Sequence, residues 1–162
     1  MMILYRILSF IVNFFCALLA FQLLVSIGAF IRNPMFYLQL FIIISVILYA
    51  WFAYKFSRSI IIKKEPISKR TKDWLQVNAI VTFVFSTMMI IVALFLIFTP
   101  TFIVEFIDSI PEKTFEGIAK ENIPTLINKA IKVMALFGFA LFAHVIWTII
   151  LLRKNKEFIV NE

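Results

Sequence analysis

Hydrophobic residues along the chain fall into four long blocks, which short polar segments separate. The blocks cover residues 2–31, 35–58, 74–98 and 129–152. A helix needs about 20 consecutive apolar residues to cross the hydrocarbon core of a bilayer. Each block is long enough, so the pattern predicts an all-α protein with four membrane-spanning helices. The run from Ile7 to Ile31 is too long for the apolar core of a cleaved signal peptide, so we expect a retained anchor.

Composition supports this prediction. Hydrophobic residues make up 63% of the chain and charged residues 15%, whereas soluble domains hold about 45–50% and about 25%. The net charge of +7 does not indicate a nucleic-acid partner, because the basic residues cluster at the ends of apolar blocks. We therefore expect the lipid bilayer to be the main partner, together with a second copy or another membrane protein.

A basic segment at residues 59–73 follows the second block. Positive charge is enriched on the cytoplasmic side of membrane proteins, so this linker and both termini are predicted to be cytoplasmic. The expected fold is then an antiparallel four-helix bundle, located in a bacterial inner membrane. We expect the linker to bind lipid headgroups or a partner through its cations, Lys63, Lys64, Lys69, Arg70 and Lys72.

The segment at residues 99–128 is too long for a simple turn and carries most of the acidic residues. Thr99-Pro100 is typical of a helix start. The apolar residues that follow have helical spacing, which predicts a short amphipathic helix on the membrane surface or folded over the bundle. The apolar positions of this helix are Phe102, Ile103, Phe106, Ile107 and Ile110. Two further helix starts are predicted: one at Ser109–Glu112, with Phe115 and Ile118 as its apolar contacts, and one at Asn122 with Pro124.

One mildly polar layer is predicted inside the membrane. His144 lies nine residues before Arg153, and Asn13 lies seven residues after Arg6. These spacings correspond to depths of roughly 13 Å and roughly 10 Å from the same side. The layer then comprises Asn13, Cys16, Tyr49, Thr82 and His144, with Ser45, Asn78 and Thr148 at a similar depth.

The layer has two interpretations. It is either a polar pocket that responds to protons or a ligand, or a set of interhelical hydrogen bonds worth about 0.6 kcal/mol each. The face that carries Ser9 and other small residues is interpreted as a packing seam. Gln22 and Ser26 form a second polar edge, for which we expect a hydrogen bond within the bundle before contact with a partner subunit.

No Asp or Glu lies in the middle of a predicted span, and Cys16 is the only cysteine. These features predict no metal site, no cofactor and no catalytic residue. Three functions remain open. The first is a non-enzymatic accessory, assembly or structural subunit. The second is a small transporter or channel that works as an oligomer. The third is a membrane enzyme that acts on a lipid or quinone, with His144 as its acid or base.

Overall fold

The computed structural model describes residues 2–32, 36–109 and 122–160. This part of the chain is almost wholly helical. Its helices and strands are α1 (Met2–Arg32), α2 (Phe36–Phe56), β1 (Ile67–Ser68), α3 (Lys69–Phe98), α4 (Pro100–Ser109), α5 (Ile123–Lys154) and β2 (Ile159–Val160).

Four helical stretches are long and apolar enough to cross a membrane, which confirms the predicted all-α class and the four apolar helices. They are Ile3–Val25, Tyr37–Lys63, Lys69–Phe98 and Ile123–Lys154. Large apolar side chains lie exposed along them, among them Phe10 and Phe98 at 73% and 80%. Surfaces of this kind are stable in contact with lipid or another protein rather than water.

The basic segment contains more helix than its charge indicates. Helix α2 continues as a π-helical segment, Ser57–Lys63, which ends where Lys64 takes a left-handed backbone with a φ of 61°. Ile60 and Ile61 within it are buried, so apolar packing extends the helix beyond the second block. Helix α3 then starts at Lys69, immediately after β1, and its first turn holds part of the basic segment.

The chain folds into two compact units. The first unit comprises the residues up to Phe85 and those from Ala140 onward. In this unit α1 packs on α2, and β1 pairs with β2 as a short parallel ladder. Stacked rings join the remaining helices: Phe52 with Trp74 at 6.3 Å between centroids, and Phe83 with Phe142 at 5.0 Å.

The second unit runs from Ser86 to Phe139 and contains α4. Ile103 of α4 is buried with Ala93 of α3 and Ile131 of α5, while Glu105 is exposed. Helix α4 therefore has the amphipathic character expected at this position and packs on its neighbours. Ile110, Phe115 and Ile118 lie outside the described residues, as does the Glu112 end of the Ser109–Glu112 motif.

Gly138 marks a close approach between α5 and α3 in the second unit. A β-carbon added at Gly138 would lie 3.2 Å from Cγ1 of Ile90 and 3.3 Å from Cβ of Met89. These distances are tight for a methyl group and leave no space for a larger side chain. Glycine at this position lets the two helices pack closely, as small residues do between membrane helices.

We predict that Gly138→Leu lowers the free energy of unfolding by about 1–3 kcal/mol, because the new side chain must displace Met89 and Ile90. Ala130→Leu is the matched control, since Ala130 lies exposed on the same helix. Thermal unfolding in detergent compares the two variants. An equal melting temperature for both would contradict close packing at Gly138.

Candidate functional site

The strongest concentration of buried polar groups surrounds His144, in the first compact unit. The imidazole is only 1% exposed, and both of its nitrogens have hydrogen-bond partners. Nε2 lies 2.8 Å from Oγ of Ser9 on α1. Nδ1 lies 2.8 Å from the phenolic oxygen of Tyr49 on α2. A single side chain of α5 thus connects three helices.

Two more residues extend this network. The Tyr49 hydroxyl donates to Oγ1 of Thr148 at 3.1 Å. Thr148 in turn lies 3.0 Å from the hydroxyl of Tyr5, on α1. The Tyr5 ring stacks on the His144 ring, with 5.2 Å between centroids and an interplanar angle of 11°. The Tyr49 ring meets the same imidazole edge-on at 5.7 Å. We call Tyr5, Ser9, Tyr49, His144 and Thr148 the His144 cluster.

Taking the Tyr49 hydroxyl as the donor to Thr148, we assign one tautomer to His144. The Tyr49 hydroxyl has one proton, which it donates to Thr148. Its oxygen therefore accepts a hydrogen bond from Nδ1–H of His144. A neutral imidazole has one N–H, so Nε2 accepts a hydrogen bond from the Ser9 hydroxyl. In this arrangement every polar atom of the ring is satisfied without water.

Helical spacing explains how the sequence assembles the cluster. Tyr5 and Ser9 are four residues apart on α1, and His144 and Thr148 are four residues apart on α5. Side chains with this spacing lie one above the other on the same helix face. The two pairs therefore face each other, with Ser9 opposite His144 and Tyr5 opposite Thr148. Tyr49 of α2 contacts both His144 and Thr148.

The residues of the predicted layer differ in whether they bond to His144. Tyr49 and His144 are in direct contact. Asn13 is half-buried and donates to the backbone oxygen of Ser9 at 2.7 Å, within its own helix. Cys16 is buried with its thiol free. Thr82 is fully buried, and its Oγ1 has no hydrogen-bond partner among the described residues.

Sequence reasoning missed Tyr5 and interpreted Ser9 only as a small packing residue. A signal was available, because Tyr5 and Ser9 are polar residues at helical spacing near one end of an apolar helix. Thr148, expected at a similar depth but outside the main set, bonds to both Tyr5 and Tyr49. The sequence does not give the rotation of each helix, and this rotation decides which polar side chains meet.

The five cations of the basic segment occupy different surroundings. Lys63 pairs with Glu65 at 3.4 Å, and Lys64 occupies the left-handed turn. Lys69 and Arg70 lie in the first turn of α3 and line surface clefts, while Lys72 is half-buried. Ser68 caps this helix, because its Oγ accepts from the Thr71 amide at 3.3 Å.

Within the described ranges, no group of three or more His, Cys, Asp or Glu side chains is placed to hold a metal ion. Comparisons with protein-family models, curated proteins and solved structures gave no match.

We predict that Tyr49→Phe lowers the free energy of unfolding by about 1–2 kcal/mol, because it leaves Nδ1–H of His144 without an acceptor in an apolar interior. Tyr54→Phe makes the same chemical change on the same helix, where Tyr54 is 47% exposed. It should change stability by less than about 0.5 kcal/mol. Denaturant unfolding in mild detergent measures both, and equal effects would show that the Tyr49 hydroxyl has no structural role.

Proposed function

We propose that the protein is a non-enzymatic accessory or assembly subunit that binds a second membrane-spanning chain through α1. The observation that carries this proposal is Gln22, an exposed polar side chain in the apolar part of α1. Gln22 lies 16 residues after Arg6 and 10 residues before Arg32. At 1.5 Å per residue it is about 24 Å and about 15 Å from the two charged ends, which places it well inside the bilayer.

An exposed amide at this depth favours contact with another polar group. Lipid chains offer no hydrogen-bond partner, so Asn and Gln in membrane helices associate with neighbouring helices. The sequence alone favoured a bond within the bundle for Gln22, but its exposed position supports the partner interpretation instead. Most of α1 is also exposed: 11% of the residues in its most apolar 18-residue stretch are buried, compared with 17% for α3 and 44% for α5. Low burial is therefore shared with α3, and Gln22 is the feature that distinguishes α1.

The geometry of His144 argues against the enzyme and channel alternatives. An acid–base catalyst needs a ring nitrogen within hydrogen-bond reach of its substrate. A residue that lines an ion or proton pathway needs a water-filled cavity. Both nitrogens of His144 are bonded to side chains, and only 1% of its surface is exposed. The His144 cluster is best explained as the structural centre that holds α1 in position.

The proposal includes an orientation. We infer an antiparallel bundle in a bacterial inner membrane with both termini in the cytoplasm, because the basic segment and the cations after the fourth block lie at the same end of the predicted topology. The bilayer is its first partner. The second is either another copy of this chain or a different membrane protein, bound along the exposed side of α1.

We predict that a photo-crosslinking amino acid at Leu18, which is 50% exposed and one turn from Gln22, forms a discrete protein adduct in membranes. Gln22→Leu should reduce the adduct about threefold, which corresponds to the loss of one average interhelical hydrogen bond. Gln39→Leu is the matched control, because Gln39 is also exposed but lies near the start of α2.

The mass of the adduct distinguishes a second copy of this chain from a different protein. Crosslinking to lipid alone would contradict the proposal. Equal adduct yields for Gln22→Leu and Gln39→Leu would show that the amide of Gln22 does not contribute to the association.

A further inference from the structure

A surface cleft of about 490 Å³ lies where the end of α2 meets the start of α3, in the first compact unit. Its volume is within the range of roughly 300–1,000 Å³ that is typical of small-molecule sites. Its lining combines charged and hydroxyl-bearing residues with apolar ones. The polar lining residues are Lys55, Ser68, Arg70 and Thr71, and the apolar lining residues are Leu48, Phe52 and Trp74.

The charged residues that line this cleft are all positive. Its lining includes Lys55 and Arg70 but no carboxylate. Neither cation forms an ion pair within the described part of the chain, in contrast to Lys63, which pairs with Glu65. A second cleft of about 530 Å³ shares Arg70 and Trp74 and adds Lys69, with Asp73 as its acidic residue. Two cations that line one cleft without a carboxylate in that lining attract an anion, and arginine in particular binds phosphate oxygens with two parallel hydrogen bonds.

The apolar residues of the lining can contact the glycerol and the upper chain region of a lipid. The rings of Phe52 and Trp74 stack at 6.3 Å with an interplanar angle of 13°. Trp74 is 45% exposed, so part of its indole is accessible at the membrane end of the cleft. Tryptophan at the end of a membrane-spanning helix sits at the level of the headgroups. The cleft therefore combines cations that can bind a phosphate with apolar side chains that can contact lipid chains. A phospholipid at the level of the headgroups has both of these parts.

We propose that this cleft binds one anionic phospholipid, whose phosphate lies between Lys55 and Arg70 and whose glycerol and chains lie along Trp74. This proposal involves fewer cations than the general headgroup binding expected of the basic segment. Only two of the five linker cations, Lys69 and Arg70, line the two clefts, and Lys55 comes from the helix before that segment. The proposal does not depend on a partner at α1, because the two features lie on different helix surfaces.

The three tryptophans, Trp51, Trp74 and Trp147, allow a direct test. A protein with Trp51→Phe and Trp147→Phe retains only Trp74, inside the cleft. It is reconstituted in phosphatidylcholine vesicles that contain a minor fraction of brominated lipid, which quenches tryptophan fluorescence on contact. Brominated phosphatidylglycerol should quench Trp74 more strongly than the same fraction of brominated phosphatidylcholine.

A second protein, with Trp74→Phe and Trp147→Phe, retains only Trp51 as the matched control. Trp51 is 64% exposed and is not part of the cleft lining. The two brominated lipids should quench it equally. Equal quenching of Trp74 by both lipids would overturn the proposal.

Charge variants separate the cleft from the general surface potential. Lys55→Gln and Arg70→Gln in the Trp74 protein should each reduce the preference for phosphatidylglycerol about fivefold. Lys63→Gln removes the same charge outside the cleft and should leave the preference unchanged. A similar loss for Lys63→Gln would show that only the overall charge matters. Loss of the preference in millimolar inorganic phosphate would identify a free-anion site and overturn the lipid assignment.

Discussion

The hydrogen bonding of His144 at both ring nitrogens is the interaction on which the first compact unit depends. Water is absent from the interior of a bilayer, so a polar side chain placed there must find its hydrogen-bond partners within the protein. His144 has Ser9 of α1 on one nitrogen and Tyr49 of α2 on the other, and the Tyr5 ring covers one face of the imidazole. These contacts fix the rotation of α1 and α2 relative to α5, which apolar side chains of similar shape would not do.

The sequence predicted the larger features because they follow from long-range regularities. Four apolar blocks define four helices, since a bilayer requires about 20 apolar residues per crossing. Depth along a helix is also readable from residue counting, which placed His144 and Tyr49 in one layer. Helix rotation is not readable in this way. The same counting therefore includes Asn13 and Thr82, although Asn13 bonds within its own helix and Thr82 Oγ1 has no hydrogen-bond partner among the described residues.

The basic segment shows a second limit of sequence reasoning. Its charge density suggested a continuous linker, but Ile60 and Ile61 extend the preceding helix by packing into the interior. The fold also gives these cations different surroundings. Lys63 is paired with Glu65, whereas Lys69 and Arg70 line the surface clefts. Composition gives the total charge of such a segment, whereas only the fold shows which charges remain available to a ligand.

These features together describe a chain whose polar chemistry is divided by position. The His144 cluster is enclosed and satisfied, so it stabilises the helices. Gln22 is exposed within an apolar helix, and the Arg70 cleft is open at the surface of the chain. An enclosed polar centre fits the role proposed above, in which the outward-facing Gln22 and the Arg70 cleft are proposed to meet a protein and a lipid.

The central claim is that His144 is enclosed and bonded on both sides, and nitrogen NMR tests it most directly. The chain has one histidine, so labelling with ¹⁵N-histidine gives a single imidazole signal pair. We expect one tautomer, protonated at Nδ1, whose proton exchanges slowly with water. Two nitrogens averaged by rapid tautomer exchange, or a ring proton lost to water at the rate of a surface histidine, would contradict the account.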